Sequence, residues 1–111
     1  MKKIAVLYHN NCTDGFSAAW AAWLALGKGA DYIPVMHQEP LPEGIEDKEV
    51  YLVDFCYTGD ALKQLIAKNK RVTALDHHAM CEADVQMTAG GIFDNNHSGA
   101  IIAWNYFHPK K

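Results

Sequence analysis

The sequence predicts an α/β fold in which a mostly parallel sheet of about five strands carries helices on both faces. Short, almost continuously apolar runs alternate along the chain with longer segments of helical periodicity. Strands buried on both faces have unbroken apolar sequences, and their alternation with helices is typical of parallel sheets built from right-handed crossovers. The 111 residues, of which 50% are hydrophobic and 21% charged, are enough for one domain with a single core.

Each element is predicted from its own pattern. The five strands are KKIAVLYH (2–9), ADYIPV (30–35), VYLVDF (50–55), RVTALDH (71–77) and GGIFD (90–94). The three helices are DGFSAAWAAWLALG (14–27), TGDALKQLIAKNK (58–70) and SGAIIAWNYF (98–107), with Gly27 ending the first and Thr58 capping the second. The proline-rich stretch 37–49 is predicted to be a surface loop, and 78–87 to be a short helix or a loop.

Composition excludes several classes of partner. A net charge of −3 leaves no broad basic face for duplex nucleic acid. The apolar start of MKKIAVLYHNN is too short for a signal peptide, and no run approaches the ~18 apolar residues of a membrane helix. Three irregularly spaced cysteines argue against a disulfide scaffold. We therefore expect a cytoplasmic protein without a membrane partner.

Polar side chains stand at the carboxyl ends of four predicted strands. These side chains belong to His9, Asp54, Asp76 with His77, and Asp94. Each one alone is explained by a turn or a cap, but a parallel sheet brings all four strand ends to one edge, where ligands bind. Carboxylates and imidazoles suit Mn²⁺, Mg²⁺, Fe²⁺ or Zn²⁺. The pattern predicts a metal site at this edge.

Two further residues extend the predicted site. Asp54, on a central strand, is best placed to bridge two ions roughly 3.5–4 Å apart. Asp14 begins the first helix, and Gly15 behind it would let a substrate phosphate approach the backbone.

Three motifs, in chain order, resemble the DHH phosphoesterase superfamily. They are HNNCTDGFSAAWAAW, VDFCY and LDHHAM, and the tail NNHSGAIIAWNYFHP is similar to a segment of one phosphohydrolase branch. The superfamily includes manganese-dependent pyrophosphatases, single-strand exonucleases, nano-RNases and cyclic-dinucleotide phosphodiesterases. The resemblance covers nearly the whole chain. It implies one Rossmann-like DHH domain over residues 1–111, without the C-terminal substrate-binding domain usual in the family.

The resemblance implies roles for the first two motifs. His9 and Asp14 would be metal ligands, and Asp54 would be the bridging ligand. The family usually carries two acids one residue apart before the glycine, but Cys12 stands in place of the earlier acid. Cys12 is expected to ligate as a thiolate, which favours softer ions than Mn²⁺, so that a second ion would bind weakly or not at all.

The resemblance also implies roles for the third motif and the tail. His77 would bind a metal, and Asp76 would orient that imidazole or support the site from behind it. His78 would face the substrate phosphate as a donor or general acid, which makes His78 and Asp76 the expected catalytic residues. His97 and Ser98 would contact phosphate at the start of the last helix, with an N-cap pair as the alternative.

Together these observations predict a metal-dependent phosphohydrolase acting through metal-activated water. The expected substrate is a nucleotide, a short oligonucleotide or another small phosphoester, and the expected cofactor is one or two divalent ions, Mn²⁺ before Mg²⁺, Fe²⁺ or Zn²⁺. The alternatives are a catalytically silent domain that binds a nucleotide or a metal, and a structural module. A homodimer could restore activity to so short a chain. Trp20, Trp23 and Trp104 are expected to pack in a core or an interface, and Cys56 and Cys81 to be buried.

Overall fold

The computed structural model describes residues 3–9, 13–36, 41–78 and 81–108. In chain order the elements are β1 (Ile4–His9), α1 (Thr13–Leu26), β2 (Ala30–Val35), β3 (Glu49–Val53), α2 (Gly59–Lys68), β4 (Arg71–Asp76), α3 (Glu82–Met87), β5 (Ile92–Phe93) and α4 (Gly99–Phe107). A single 3₁₀ turn over Gly27–Gly29 joins α1 to β2.

The five strands form one sheet in the order β2-β1-β3-β4-β5, and every pair of neighbours is parallel. The predicted α/β fold class is therefore confirmed. From β1 the chain moves first to β2 on one side and then to β3 on the other, so the winding direction reverses between β1 and β3. In sheets of this kind the crevice beyond the carboxyl ends of the strands at that reversal is where ligands bind.

Helices cover both faces of the sheet, and each face has its own apolar cluster. On one face Leu62 and Leu65 of α2 and Val85 of α3 are buried against the sheet. On the other face α1 and α4 pack against the strands and against each other. The buried side of α1 is formed almost entirely by alanine, because only small side chains let this helix lie close to both the sheet and α4.

The element boundaries refine the sequence prediction in a few places. Asp54 follows β3 instead of closing it, and His77 follows β4. The Thr58 backbone occupies the N-cap position of α2, but its side chain makes no capping hydrogen bond, so that part of the prediction is wrong. The Gly59 amide at the start of α2 donates to Asp84 of α3 at 3.3 Å. The described part of the predicted loop, residues 41–48, contains neither helix nor strand.

The segment predicted to be a short helix or a loop contains the helix α3. Across the ranges that the structure describes, every helix is too short or too polar to cross a lipid bilayer.

Candidate metal centre

Three neighbouring strands deliver polar side chains to the same level of the carboxyl edge. The registers of β1 with β3 and of β3 with β4 align Val53 with the penultimate residues of the two flanking strands. The residue that follows each of these aligned positions belongs to a second row across the three strands, in which neighbouring strands are about 4.8 Å apart. That row is His9, Asp54 and Asp76.

Two buried carboxylates and two imidazoles converge at this edge. One ligand atom from each of Asp54, Asp76, His77 and His78 lies within 4.8 Å of the other three. Both carboxylates are buried, and both imidazoles are half-buried. Oxygen and imidazole nitrogen are the donor set of Mn²⁺, Fe²⁺ and Zn²⁺ sites, so this group could hold a divalent cation.

Asp54 owes its position to an unusual backbone conformation. Its φ angle is +65°, a left-handed value that aspartate adopts more readily than most residues. Val53 points to the face covered by α1 and α4, and regular strand alternation would send the next side chain to the opposite face. The left-handed residue breaks that alternation, and the Asp54 carboxylate lies against Gly99 at the start of α4.

Asp76 fixes the geometry of the two histidines that follow it. Its Oδ1 atom accepts a hydrogen bond from the His77 amide at 2.8 Å and lies 2.7 Å from Nδ1 of His78. Asp76 thus contacts the backbone of His77 and the ring of His78, so the imidazole that it orients is that of His78 and not the predicted one. The alternative, that Asp76 supports the site from behind, stays a prediction. A carboxylate that accepts from one ring nitrogen fixes the tautomer of the histidine and the direction of the other nitrogen.

The second oxygen of Asp76 fits contact with a cation. Oδ2 is buried and has no hydrogen-bonding partner among the described residues. A buried carboxylate oxygen without a partner carries a large desolvation cost, and a bound metal ion removes that cost. The residues present therefore fit a divalent cation both in donor chemistry and in unsatisfied charge.

His77 lies between two carboxylates that come from distant parts of the chain. Its Nε2 atom is 3.0 Å from Oδ1 of Asp54 and 3.5 Å from Oδ2 of Asp14. The rings of His77 and His78 are neighbours, with centroids 4.4 Å apart. The structure thus brings four predicted site residues, Asp54, Asp76, His77 and His78, into one cluster and places Asp14 beside it.

The electrostatics of the cluster favour added positive charge. Burial and the nearby Asp14 carboxylate raise the pKa of Asp54 to about 6, against the opposing effect of His77. Carboxylates that share a buried site resist ionising together unless a counter-charge is present. A divalent cation supplies that counter-charge.

Asp14 has a structural role that its position in the sequence did not indicate. Its Oδ2 atom accepts from the Gly99 amide at 2.9 Å, and its Oδ1 atom accepts from the Ala100 amide at 3.1 Å. Ser98 is the N-cap of α4, and its hydroxyl accepts from the Ile101 amide at 3.3 Å. The capping alternative is therefore confirmed for Ser98, and the first three amides of α4 are bonded within the protein instead of facing a phosphate.

Two glycines, Gly15 and Gly99, permit close packing at the site. A side chain on Gly15 would overlap the His9 carbonyl, so this glycine lets α1 lie against the end of β1. The space that a Gly15 side chain would need is filled by His9, and the prediction that Gly15 admits a substrate phosphate stays a prediction. A side chain on Gly99 would overlap the Asp54 carboxylate. Sequence reasoning missed Gly99, although a glycine directly after a helix cap is a signal of close packing.

Two other predicted residues that the structure describes lie outside the cluster. His9 closes β1 in the same row, but it is not one of the four residues whose ligand atoms lie within 4.8 Å of one another. Exposed His97 pairs with half-buried Asp94, Nδ1 to Oδ2 at 2.6 Å, in the turn before α4. That hydrogen bond lowers the pKa of Asp94. Cys12 lies outside the described residues, so its predicted role as a ligand stays a prediction.

Two cysteines line the buried side of the site. Burial and the charge of Asp76 raise the pKa of Cys81 to about 11, and burial raises the pKa of Cys56 well above its ordinary value. Both are free thiols, which confirms the prediction that they are buried small side chains. As neutral thiols they add no negative charge beside Asp76.

Comparison with known proteins confirms the fold and names no activity. No family model matches the chain. The chain is 32% identical over 123 residues to an uncharacterized protein of Acanthamoeba polyphaga mimivirus, covering 96% of this chain and 29% of that protein. Its structure is similar, with a TM-score of 0.72 and 14% identity, to the crystal structure of an uncharacterized protein from Helicobacter pylori, covering 96% of this chain and 36% of that one. The chain therefore spans about a third of the length of each.

Proposed function

We propose that this protein is a divalent-metal-dependent phosphohydrolase of the DHH type, acting on a nucleotide, a short oligonucleotide or another small phosphoester. The observation that carries the proposal is the buried cluster at the carboxyl edge of the sheet, with an unpartnered Asp76 oxygen inside it. The cluster contains the DHH motif itself together with the aspartate that follows β3. This combination agrees with the resemblance of the three sequence motifs to the DHH superfamily.

Asp54, Asp76, His77 and His78 are the residues that would hold or adjoin the ion. When bound, a divalent cation such as Mn²⁺ neutralises phosphate charge and acidifies a water molecule that can attack phosphorus. Asp54 supplies a carboxylate at the centre of the row. Asp14 lies close enough to His77 to contribute a further oxygen ligand to the ion. Its carboxylate would at the same time accept the hydrogen bond from the first turn of α4.

His78 is the candidate for contact with the substrate phosphate. Its side chain is 39% exposed and that of Asp76 is fully buried, so Asp76 acts through His78 as a positioning residue. With Nδ1 directed to Asp76, any proton that His78 delivers must come from Nε2. His78 could in this way donate to a phosphate oxygen as negative charge develops there.

Hydrolysis of a generic phosphodiester in the presence of Mn²⁺ tests the proposal. The wild-type rate should require the metal. Asp54→Asn or His77→Ala should lower kcat/KM by at least about 100-fold, because loss of a ligand weakens binding of the ion. Asp94→Asn is the matched control, because Asp94 follows a neighbouring strand but lies outside the cluster. Equal rates for wild type, Asp54→Asn and His77→Ala would refute the proposal.

One observation favours a second candidate, a domain that binds a nucleotide or a metal without turnover. The first amides of α4 are occupied by Asp14 and Ser98, so they offer no preformed cradle for a substrate phosphate. Calorimetry with nucleotides, with and without Mn²⁺, separates the two candidates. Binding without hydrolysis supports the silent domain, and rapid hydrolysis excludes it.

A further inference from the structure

The two helices on one face of the sheet are apolar on their outer sides as well as their inner sides. In α1 the only charged residue is Asp14, which is bonded to the start of α4, and α4 contains no charged residue. A helix that is hydrophobic all round is normally buried on all sides. Here no described residue covers the side away from the sheet.

Large apolar side chains occupy that outer side. Each is between 44% and 64% exposed, and they define what we name the aromatic face: Phe16, Trp20, Trp23, Leu24, Ile101 and Trp104. The four residues from α1 are spaced as one helical stripe. All three tryptophans of the chain lie on this face.

Ring stacking and one contact between the helices connect parts of the aromatic face. The rings of Trp20 and Trp23 are stacked with centroids 5.7 Å apart. Trp104 stacks on His108 at 4.1 Å, and His108 Nε2 lies 3.0 Å from the Ala21 carbonyl oxygen of α1, which ties the α4 part of the face to α1. A recess of about 220 Å³ lies between the α1 stripe and the tyrosines of the neighbouring strands.

The opposite side of the molecule is different. There α2 buries Leu62 and Leu65 and presents charged residues to solvent, among them Asp60, Lys63 and Lys68. That is the normal pattern of a helix whose outer side stays in water. The lack of charge on the aromatic face is therefore a property of α1 and α4 and not of the whole chain.

We infer that the aromatic face is the interface of a homodimer. A specific protein–protein interface of standard size buries roughly 800 Å² per partner. At the roughly two-thirds apolar share of homodimer interfaces, such an interface needs roughly 500 Å² of apolar area per partner. Four half-exposed aromatic rings provide roughly 400 Å², and the two aliphatic side chains bring the face close to that value. In a twofold dimer the same surface patch of each subunit forms the interface. A charged side chain on the aromatic face would therefore be buried against the apolar patch of the partner, which would oppose association. The six residues of the aromatic face are all uncharged. The inference does not depend on the proposed function.

Concentration-dependent sedimentation of the intact chain tests the inference, with tryptophan fluorescence as an independent measurement. The wild type should sediment as a dimer at micromolar concentrations, and dilution should shift the tryptophan emission to the red, because all three tryptophans become exposed. Trp20→Lys and Trp104→Lys should each weaken association by at least about 30-fold, as expected for aromatic hot spots. Circular dichroism of both variants serves as the control for correct folding.

Met87→Lys is the matched control, since Met87 is an equally exposed apolar residue on α3. This variant should dimerise as the wild type does. A wild type that stays monomeric, with emission independent of concentration, overturns the inference and leaves a different protein as the occupant of the face. Dimerisation that is insensitive to both tryptophan substitutions, or lost equally in Met87→Lys, also overturns it. If the tryptophan variants do not fold, the wild-type protein still tests the inference. A red shift of its emission on dilution supports the dimer, and unchanged emission overturns it.

Discussion

The Nε2 atom of His77 lies 3.0 Å from the Oδ1 atom of Asp54, although the two residues are 23 positions apart in the chain. Parallel pairing of β3 with β4 brings them together, and the left-handed backbone of Asp54 turns its carboxylate toward the histidine. A non-glycine residue with such a backbone costs about 1–3 kcal/mol of stability, and residues of this kind cluster at functional sites. This contact is the centre of the candidate metal site.

Gly99→Ala should damage both the fold and the cluster. The added methyl group would overlap the Asp54 carboxylate, so either α4 or Asp54 must move. We expect a loss of about 1–3 kcal/mol in the free energy of unfolding, measured with urea, together with weaker Mn²⁺ binding measured by calorimetry. Gly29→Ala is the control, because a side chain there would meet nothing within 4 Å. Equal stability and affinity in the two variants would show that Gly99 does not set the position of Asp54.

Asp14→Ala should destabilise α4 even in the absence of metal. The substitution removes the acceptors of the Gly99 and Ala100 amides. Loss of a helix cap costs about 0.5–2 kcal/mol, measured as the free energy of unfolding in EDTA. Asp60→Ala, at an exposed position in the first turn of α2, should cost less than about 0.5 kcal/mol. If the two variants were equally stable, Asp14 would have no capping role.

The metal-free protein should lose stability as pH rises from about 4 to about 6. The pKa of Asp54 is raised from 3.8 to about 6 in the folded state, chiefly by burial. Between these values the unfolded chain binds fewer protons than the folded one, so ionisation of Asp54 favours unfolding by roughly 3 kcal/mol in total. Chemical denaturation in EDTA at a series of pH values measures the effect. Asp54→Asn should remove this part of the pH dependence, and an unchanged slope in the variant would contradict the assignment.

Cys56 and Cys81 should resist alkylation in the native protein. Burial raises the pKa of both thiols, that of Cys81 to about 11, so little thiolate exists at pH 8. In a Cys12→Ser variant, which retains only these two cysteines, reaction with iodoacetamide should be at least about 100-fold slower when folded than in denaturant. Native rates close to the denatured ones would mean that the two thiols are exposed or ionised.

Much of the fold could be predicted from the sequence because its signals are local. Apolar runs located the strands, and helical periodicity located α1, α2 and α4. The predicted ends of β3 and β4 were one or two residues too long, because the local sequence does not indicate that Asp54 adopts a left-handed backbone. The Thr58 side chain makes no capping hydrogen bond, and the Gly59 amide donates to Asp84 of another helix. The local sequence indicates neither feature.

The site could be predicted in part, for a similar reason. Parallel strand ends share an edge, so Asp54, Asp76 and His77 were correctly expected together. The partner of each side chain depends on tertiary packing: Asp76 contacts the ring of His78, and Asp14 caps α4 across 85 residues of chain. Gly99 was missed because its role depends on the distance between α4 and Asp54, which the sequence alone does not define.

Anomalous diffraction from crystals grown with Mn²⁺ is the most direct test of the metal site. We predict an anomalous peak in contact with carboxylate oxygens of Asp54 and Asp76 and with a nitrogen of His77 or His78, and its disappearance in crystals of Asp54→Asn grown under the same conditions. A wild-type map without a peak at this edge of the sheet, at Mn²⁺ concentrations well above physiological levels, would contradict the assignment of these residues as a metal centre.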